Sequence, residues 1–131
     1  MGYTETNYRF YSKLKHAING LFVALRQEIH IKVHVIATLI VFVLAFSLDL
    51  KTIELIILFL VICSVFTAEL INTAIERVVD LITDEYHPLA EQAKDIASGA
   101  VLFTVINAVI IGLIIFTPYL RFLTNELKIF T

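Results

Sequence analysis

The sequence lacks several features that would assign the protein to a common soluble class. Cys63 is the single cysteine, so no disulfide can form within the chain, and its apolar surroundings are typical of a small interior residue. Basic residues are in no excess, since 10 lysines and arginines stand against 12 acidic residues and the formal net charge is −2. A nucleic-acid partner is therefore not expected.

Several motifs are absent as well. The first ten residues are polar and contain no apolar segment, so we expect no cleaved signal peptide. The chain has neither a GxxxxGK(S/T) loop nor a GxGxxG fingerprint, which excludes a P-loop and the glycine-rich loop of protein kinases. Internal repeats and linkers are also missing, so residues 1–131 are expected to form a single domain.

Apolar residues, by contrast, are abundant. Hydrophobic residues make up 59% of the chain, with a mean hydropathy of +0.87, whereas soluble domains usually contain about 45–50% apolar residues. This composition predicts an all-α integral membrane protein. Spans are expected at about residues 31–48, 53–75 and 93–117, preceded by an amphipathic surface helix at about residues 9–27. The second helix should continue beyond the bilayer to about Asp80, and Pro118 is expected to end the third.

The distribution of lysine and arginine predicts how the spans are oriented. Three basic residues fall on one side of the membrane: Lys51, Arg121 and Lys128. Seven fall on the side that holds the N-terminus and the connector after the second span: Arg9, Lys13, Lys15, Arg26, Lys32, Arg77 and Lys94. The N-terminus and the connector are therefore expected in the cytoplasm.

Four polar residues, which we call the polar stripe, occur where the second helix leaves its apolar run: Glu69, Asn72, Glu76 and Asp80. Their spacing places them within an arc of roughly 80° on one helix face, along about 16 Å of its axis. Ionisable groups at membrane depth are costly and usually functional, and several carboxylates together suit a hard divalent cation. Hydrogen bonding between helices, or a solvated helix end in the case of Asp80, is the structural alternative.

Two further groups of residues carry candidate chemistry. Lys94 and Asp95 open the third span and can form a simple ion pair, but a lysine beside a carboxylate cluster can also neutralise phosphate, as phosphoryl transfer requires. His30 and His34 share a helix face, yet a metal pair is not favoured because neither an HExxH motif nor a third ligand accompanies them. An ionised Glu69 among apolar residues needs a partner.

Small residues predict close helix contacts. Ala108 and Gly112 form a small-xxx-small pair in the third span, which is typical of contact within or between subunits. Three spans make a thin bundle that encloses a site poorly, so an oligomer is expected.

The run ELINTAIERVVD, from Glu69 to Asp80, resembles the signature ExxN(S/T)AxExxVD of the prokaryotic integral-membrane diacylglycerol kinase and undecaprenol kinase family. A second matching run, EYHPLAEQAKDIASGAVL, covers residues 85–102, and a weaker one ends in AINGL at residues 17–21 and is followed by Glu28. The resemblance extends over roughly residues 9–117. It implies a homotrimer in a bacterial cell membrane, with active sites between subunits on the cytoplasmic side.

The resemblance also implies roles for individual residues. Glu69 matches the catalytic base toward the lipid hydroxyl, Asn72 a supporting active-site position, and Glu28 and Glu76 the metal ligands. The positions that match nucleotide contacts are Arg9, His16, Glu28, Glu76, Asp80, Glu85, Tyr86, His87, Lys94 and Asp95. His16 stands where the best-known branch of the family has a tyrosine.

These observations predict an ATP- and Mg²⁺-dependent kinase that phosphorylates a membrane lipid alcohol. The form of the second motif resembles the branch common in Gram-positive bacteria, so undecaprenol is the expected substrate and diacylglycerol, giving phosphatidic acid, the alternative. Two other classes of function are a small cation channel, with the stripe lining a pore, and a structural oligomer, with the stripe joining helices. A pore needs neither Lys94–Asp95 nor the connector residues Glu85–His87, which argues against the channel.

Overall fold

The protein is described by a computed structural model, which covers the backbone of residues 3–129 and the side chains of residues 10–122. Over these residues the chain forms α-helices joined by short connections, and no strand occurs. The helices are α1 Tyr3–Gln27, α2 Ile29–Ser47, α3 Thr52–Ile82 and α4 Pro88–Ile129. The predicted all-α fold is confirmed.

Three of the helices are long and apolar enough to cross a membrane: α2, α3, and α4 as far as Phe122. The 19 residues of α2 extend about 28 Å, which is close to the thickness of a bilayer's hydrocarbon core. With 31 residues, α3 is longer than a span requires, in agreement with its expected continuation past the bilayer. The helix α1 begins earlier than predicted, at Tyr3, and its position on the membrane surface remains a prediction.

The prediction that Pro118 ends the last helix is wrong, because α4 continues through it to Ile129. Proline removes one helical hydrogen bond, but local bonds and tertiary contacts can offset this loss within a membrane helix. The Thr117 hydroxyl donates to the Leu113 carbonyl at 2.5 Å. The Tyr119 hydroxyl donates to Glu54 Oε2 at 2.5 Å and so ties the segment after the proline to the start of α3.

The turn between α2 and α3 is tight. Asp49 adopts φ 52°, in the left-handed region that aspartate tolerates better than most residues. The Leu50 amide donates to the Ala45 carbonyl at 3.1 Å, and the Lys51 amide donates to Glu54 Oε2 at 2.8 Å at the start of α3. One cluster of buried apolar residues lies at this end of the molecule and is formed by Ala45, Leu50, Leu58 and Ile115. The buried polar residues of α3, which are Glu69, Asn72 and Thr73, lie toward the other end of the helix.

The glycines of α4 do not make close contacts within the described chain. No atom lies within 4 Å of the point where a side chain at Gly99 or Gly112 would begin. Ala97, by contrast, is buried. The interpretation of Ala108 and Gly112 as a contact within one chain is thus not supported, and a contact between subunits stays a prediction.

Candidate active site

The polar stripe runs along α3 from the buried interior to the surface. Glu69 and Asn72 are 5% and 9% exposed, whereas Glu76 is half-buried and Asp80 is exposed. Buried polar groups must be paired, while exposed ones are satisfied by water. The inner half of the stripe therefore needs hydrogen-bond partners within the protein, whereas the outer half can be hydrated.

Glu69 is paired with His34 across the gap between α2 and α3. His34 Nε2 lies 3.0 Å from Glu69 Oε1, and the two side chains are 21% and 7% exposed. An ionised carboxylate can only accept hydrogen bonds, so Nε2 carries the hydrogen and donates it. The Phe66 ring packs edge-on against the imidazole, with ring centroids 6.3 Å apart.

Sequence reasoning missed this role of His34, which was considered only as a metal ligand beside His30. The available signal was the need of an ionised Glu69 for a partner. The pairing itself spans 35 residues and depends on which faces of α2 and α3 meet.

Only one of the two polar atoms of the Asn72 side chain has a hydrogen-bond partner among the described residues. Its Nδ2 donates to Glu76 Oε1 at 2.8 Å, which links two members of the stripe one turn apart. Its Oδ1 is buried and has no partner among the described residues. A buried carbonyl oxygen without a donor is unfavourable, so Oδ1 is an acceptor that a bound ligand or cation would satisfy.

The inner half of the stripe opens into a cavity of about 250 Å³, which we call the inner cavity. Its residues are His30, Glu69, Asn72, Glu76, Ser98, Val101, Leu102 and Val105. Polar groups come mainly from α3 and apolar ones from α4. Such a cavity suits a molecule with a small polar head and an apolar remainder.

A second cavity, of about 370 Å³, lies beneath the connector between α3 and α4. It is the outer cavity, and its lining includes five of the predicted nucleotide-binding residues: Asp80, Glu85, Tyr86, His87 and Lys94. Lys94 Nζ lies 2.5 Å from Asp80 Oδ1, with side chains 39% and 62% exposed. This cavity thus combines a cation with several acids near the end of the stripe.

Local hydrogen bonds shape the connector. The Tyr86 hydroxyl donates to Glu91 Oε2 at 2.8 Å, and this bond raises the pKa of Tyr86 because ionisation would break it and place two anions together. His87 Nδ1 accepts the Leu89 amide at 3.2 Å at the start of α4, where Pro88 occupies a favourable first position.

Other predicted site residues are not brought to either cavity. Glu28 lies at the break between α1 and α2, where its Oε1 accepts Arg77 Nη2 at 2.8 Å. Asp95 is exposed and lines neither cavity. His16 lines a separate groove on α1, of about 420 Å³, and the side chain of Arg9 lies outside the described residues. In one chain, the predicted set is therefore divided among several places.

The chain is similar to a known family of proteins. The family model for prokaryotic diacylglycerol kinase matches residues 15–116. The chain belongs to this family. The predicted family and enzyme class, a lipid kinase, are thereby confirmed, and three apolar helices agree with a membrane protein of this family.

The chain is similar to individual members of the family along much of its length. An undecaprenol kinase of Bacillus subtilis is 46% identical over 112 residues, which cover 86% of this chain and 91% of that protein. A diacylglycerol kinase of Escherichia coli is 41% identical, with 70% and 75% covered. A diacylglycerol kinase of Synechocystis is 40% identical, with 75% of this chain but only 57% of that protein covered.

The Arg77–Glu28 pair is expected to contribute little to stability. Exposed ion pairs typically contribute about 0.2–1 kcal/mol, and Arg77 keeps Gln27 Oε1, at 2.9 Å, as a second partner. A double-mutant cycle with Arg77→Gln and Glu28→Gln should therefore give a coupling energy of about 1 kcal/mol or less in unfolding measurements in detergent. A coupling of several kcal/mol would show instead that Glu28 is held by Arg77 and is not readily available to another partner.

Proposed function

We propose that this family member is an ATP- and Mg²⁺-dependent kinase that transfers the γ-phosphoryl group to undecaprenol. The observation that carries the proposal is the buried Glu69 carboxylate in a half-apolar inner cavity, next to the outer cavity, in which Lys94 lies among several acids. The similarity to the undecaprenol kinase supports the choice of substrate. Diacylglycerol is the second candidate, because kinases of that name are 40–41% identical.

In this proposal the reacting groups lie at opposite ends of the stripe, and the positions of the two cavities support that placement. The lipid hydroxyl enters the inner cavity beside Glu69, and the nucleotide occupies the outer cavity with its phosphates toward the stripe. Glu69 and Glu76 are separated by about 10 Å along the axis of α3, and Asp80 lies about 6 Å further. Bound side by side, the two substrates would meet near Asn72 and Glu76.

Each residue then has a chemical task. Glu69 orients the lipid hydroxyl and accepts its proton as the hydroxyl oxygen attacks the γ-phosphorus. The bond to the β-phosphate oxygen breaks, and ADP leaves. Lys94 neutralises negative charge on the phosphates, and fixed positioning of the two substrates supplies much of the remaining acceleration.

The donors in the stripe fit Mg²⁺. Glu76 offers a carboxylate and Asn72 the unpaired Oδ1, and both are the oxygen ligands that a hard cation prefers. Among the described residues, no group of three potential metal-ligating side chains occurs. Mg²⁺ is usually bound by only one or two carboxylates and keeps water and substrate phosphates as its other ligands, so a small set of protein donors would suffice. Glu28 would join as a second carboxylate after leaving Arg77. When bound, the metal supplies charge neutralisation at the phosphates.

We also propose a homotrimer with active sites between subunits on the cytoplasmic side. The excess of lysine and arginine near the N-terminus and connector supports this orientation. The dispersal of His16, Glu28 and Asp95 in a single chain supports sites that a neighbouring subunit completes. Family membership favours the kinase over the cation channel and the purely structural oligomer.

The choice of lipid is tested by parallel phosphorylation of undecaprenol and diacylglycerol in mixed micelles with labelled ATP. Undecaprenol is expected to react with the higher kcat/KM. A reversed preference would establish the diacylglycerol alternative, and labelling of neither lipid would contradict the proposed reaction.

Replacement of Glu69 by glutamine removes the proton acceptor while keeping the size of the side chain. Loss of a general base typically lowers kcat about 10²–10⁴-fold, and Glu69→Gln should fall in this range with the assembly intact. Glu54→Gln is the matched control, since Glu54 lies on the same helix at the opposite end. Full turnover in Glu69→Gln would remove the proposed base from the mechanism.

Glu76→Gln can still accept the Asn72 hydrogen bond but loses the carboxylate charge. Because metal binding depends on that charge, the Mg²⁺ concentration for half-maximal activity should rise about tenfold or more. Light scattering should show an unchanged oligomer. Dissociation of the oligomer with unaltered Mg²⁺ dependence would favour the structural interpretation of the stripe.

A further inference from the structure

The two oxygens of Glu69 are not equivalent. Oε1 accepts the hydrogen bond from His34 Nε2 at 3.0 Å. Oε2 accepts no hydrogen bond from the described residues and is not fully enclosed, and the Glu69 side chain lines the inner cavity. One oxygen is fixed by the protein, and the other remains for a ligand.

We propose that His34 is a positioning residue for Glu69, holding Oε1 so that Oε2 faces the lipid hydroxyl. This inference rests on the proposed function of Glu69 as the base. The hydroxyl proton passes to Oε2, whereas His34 keeps its own proton and does not contact the substrate. His34 accordingly acts through Glu69.

The surroundings of His34 favour orientation of Glu69 over a hydrogen bond that only joins α2 to α3. Terminal carboxylate torsions are broad, so an unrestrained Glu69 would sample many orientations. The imidazole packs edge-on against Phe66 and is only 21% exposed, which restricts the positions that the donor can take. Such a donor on α2 converts a flexible carboxylate on α3 into one with a defined free oxygen, as preorganised sites require.

The kinetic test compares three variants. His34→Leu removes the donor and is expected to lower kcat about 10–100-fold, the usual effect of misplaced reacting groups, while KM for Mg-ATP changes little. His34→Gln carries an amide that can occupy the place of Nε2, and it should recover most of kcat. His34→Asn is one methylene shorter, does not reach Glu69, and should resemble His34→Leu.

Ser47→Ala is the control for loss of a polar group from α2. Its hydroxyl donates to the Val43 carbonyl at 2.7 Å, at the end of the helix remote from Glu69, so kcat should be unchanged. Wild-type kcat in His34→Leu would overturn the proposal, as would equal losses in the glutamine and asparagine variants. If His34→Leu does not fold, the difference in kcat between His34→Gln and His34→Asn tests the proposal without it.

A spectroscopic measurement separates this inference from the proposed function. In ¹⁵N-histidine NMR spectra of the protein in micelles, His34 should show a protonated Nε2, and Glu69→Gln should shift its ring signals. Unshifted signals would disprove the contact and overturn the proposal. A shift in a protein that phosphorylates neither lipid would leave the contact intact but would contradict the proposed function, and with it the role of His34 as a positioning residue.

Discussion

A carboxylate buried at membrane depth is the constraint on which the rest of the site depends. Glu69 is 5% exposed on a largely apolar helix, so it has lost most of its hydration. Desolvation of a charge is costly unless a hydrogen-bonding partner compensates it. The partner comes from α2, and the bond to His34 therefore couples the chemistry of the site to the packing of two spans.

The cost of burying charge also explains why the stripe changes from buried, hydrogen-bonded groups to exposed groups along α3. Within the inner half, Glu69 Oε1 and Asn72 Nδ2 are fixed by hydrogen bonds to other residues, whereas Asn72 Oδ1 and Glu69 Oε2 have no partner among the described side chains. Toward the surface, Asp80 and Lys94 form an exposed pair that water can replace at small cost. The inner cavity is thus preorganised by desolvation, whereas the outer cavity can adapt to the nucleotide proposed to bind there.

Local patterns in the sequence predicted the helices well because apolar runs, polar turns and Pro88 act over a few residues. Pro118 was mispredicted for the opposite reason, since the bond between Tyr119 and Glu54 is made across 65 residues. His34 was missed on similar grounds. The spacing of the stripe on one face was predictable from helix geometry, but the partner of Glu69 depends on how α2 packs against α3, which periodicity does not contain.

Glu28 illustrates the difference between a role predicted from a family motif and a contact seen in the structure. The resemblance predicts that it binds metal together with Glu76, yet in a single chain its carboxylate is paired with Arg77. A partly exposed pair of this kind contributes little to stability, so Glu28 would be available to a divalent cation at small cost. The proposed roles thus place different demands on the two carboxylates: Glu69 is buried and held by His34, whereas Glu28 is half-buried and held by Arg77, whose place a cation would have to take.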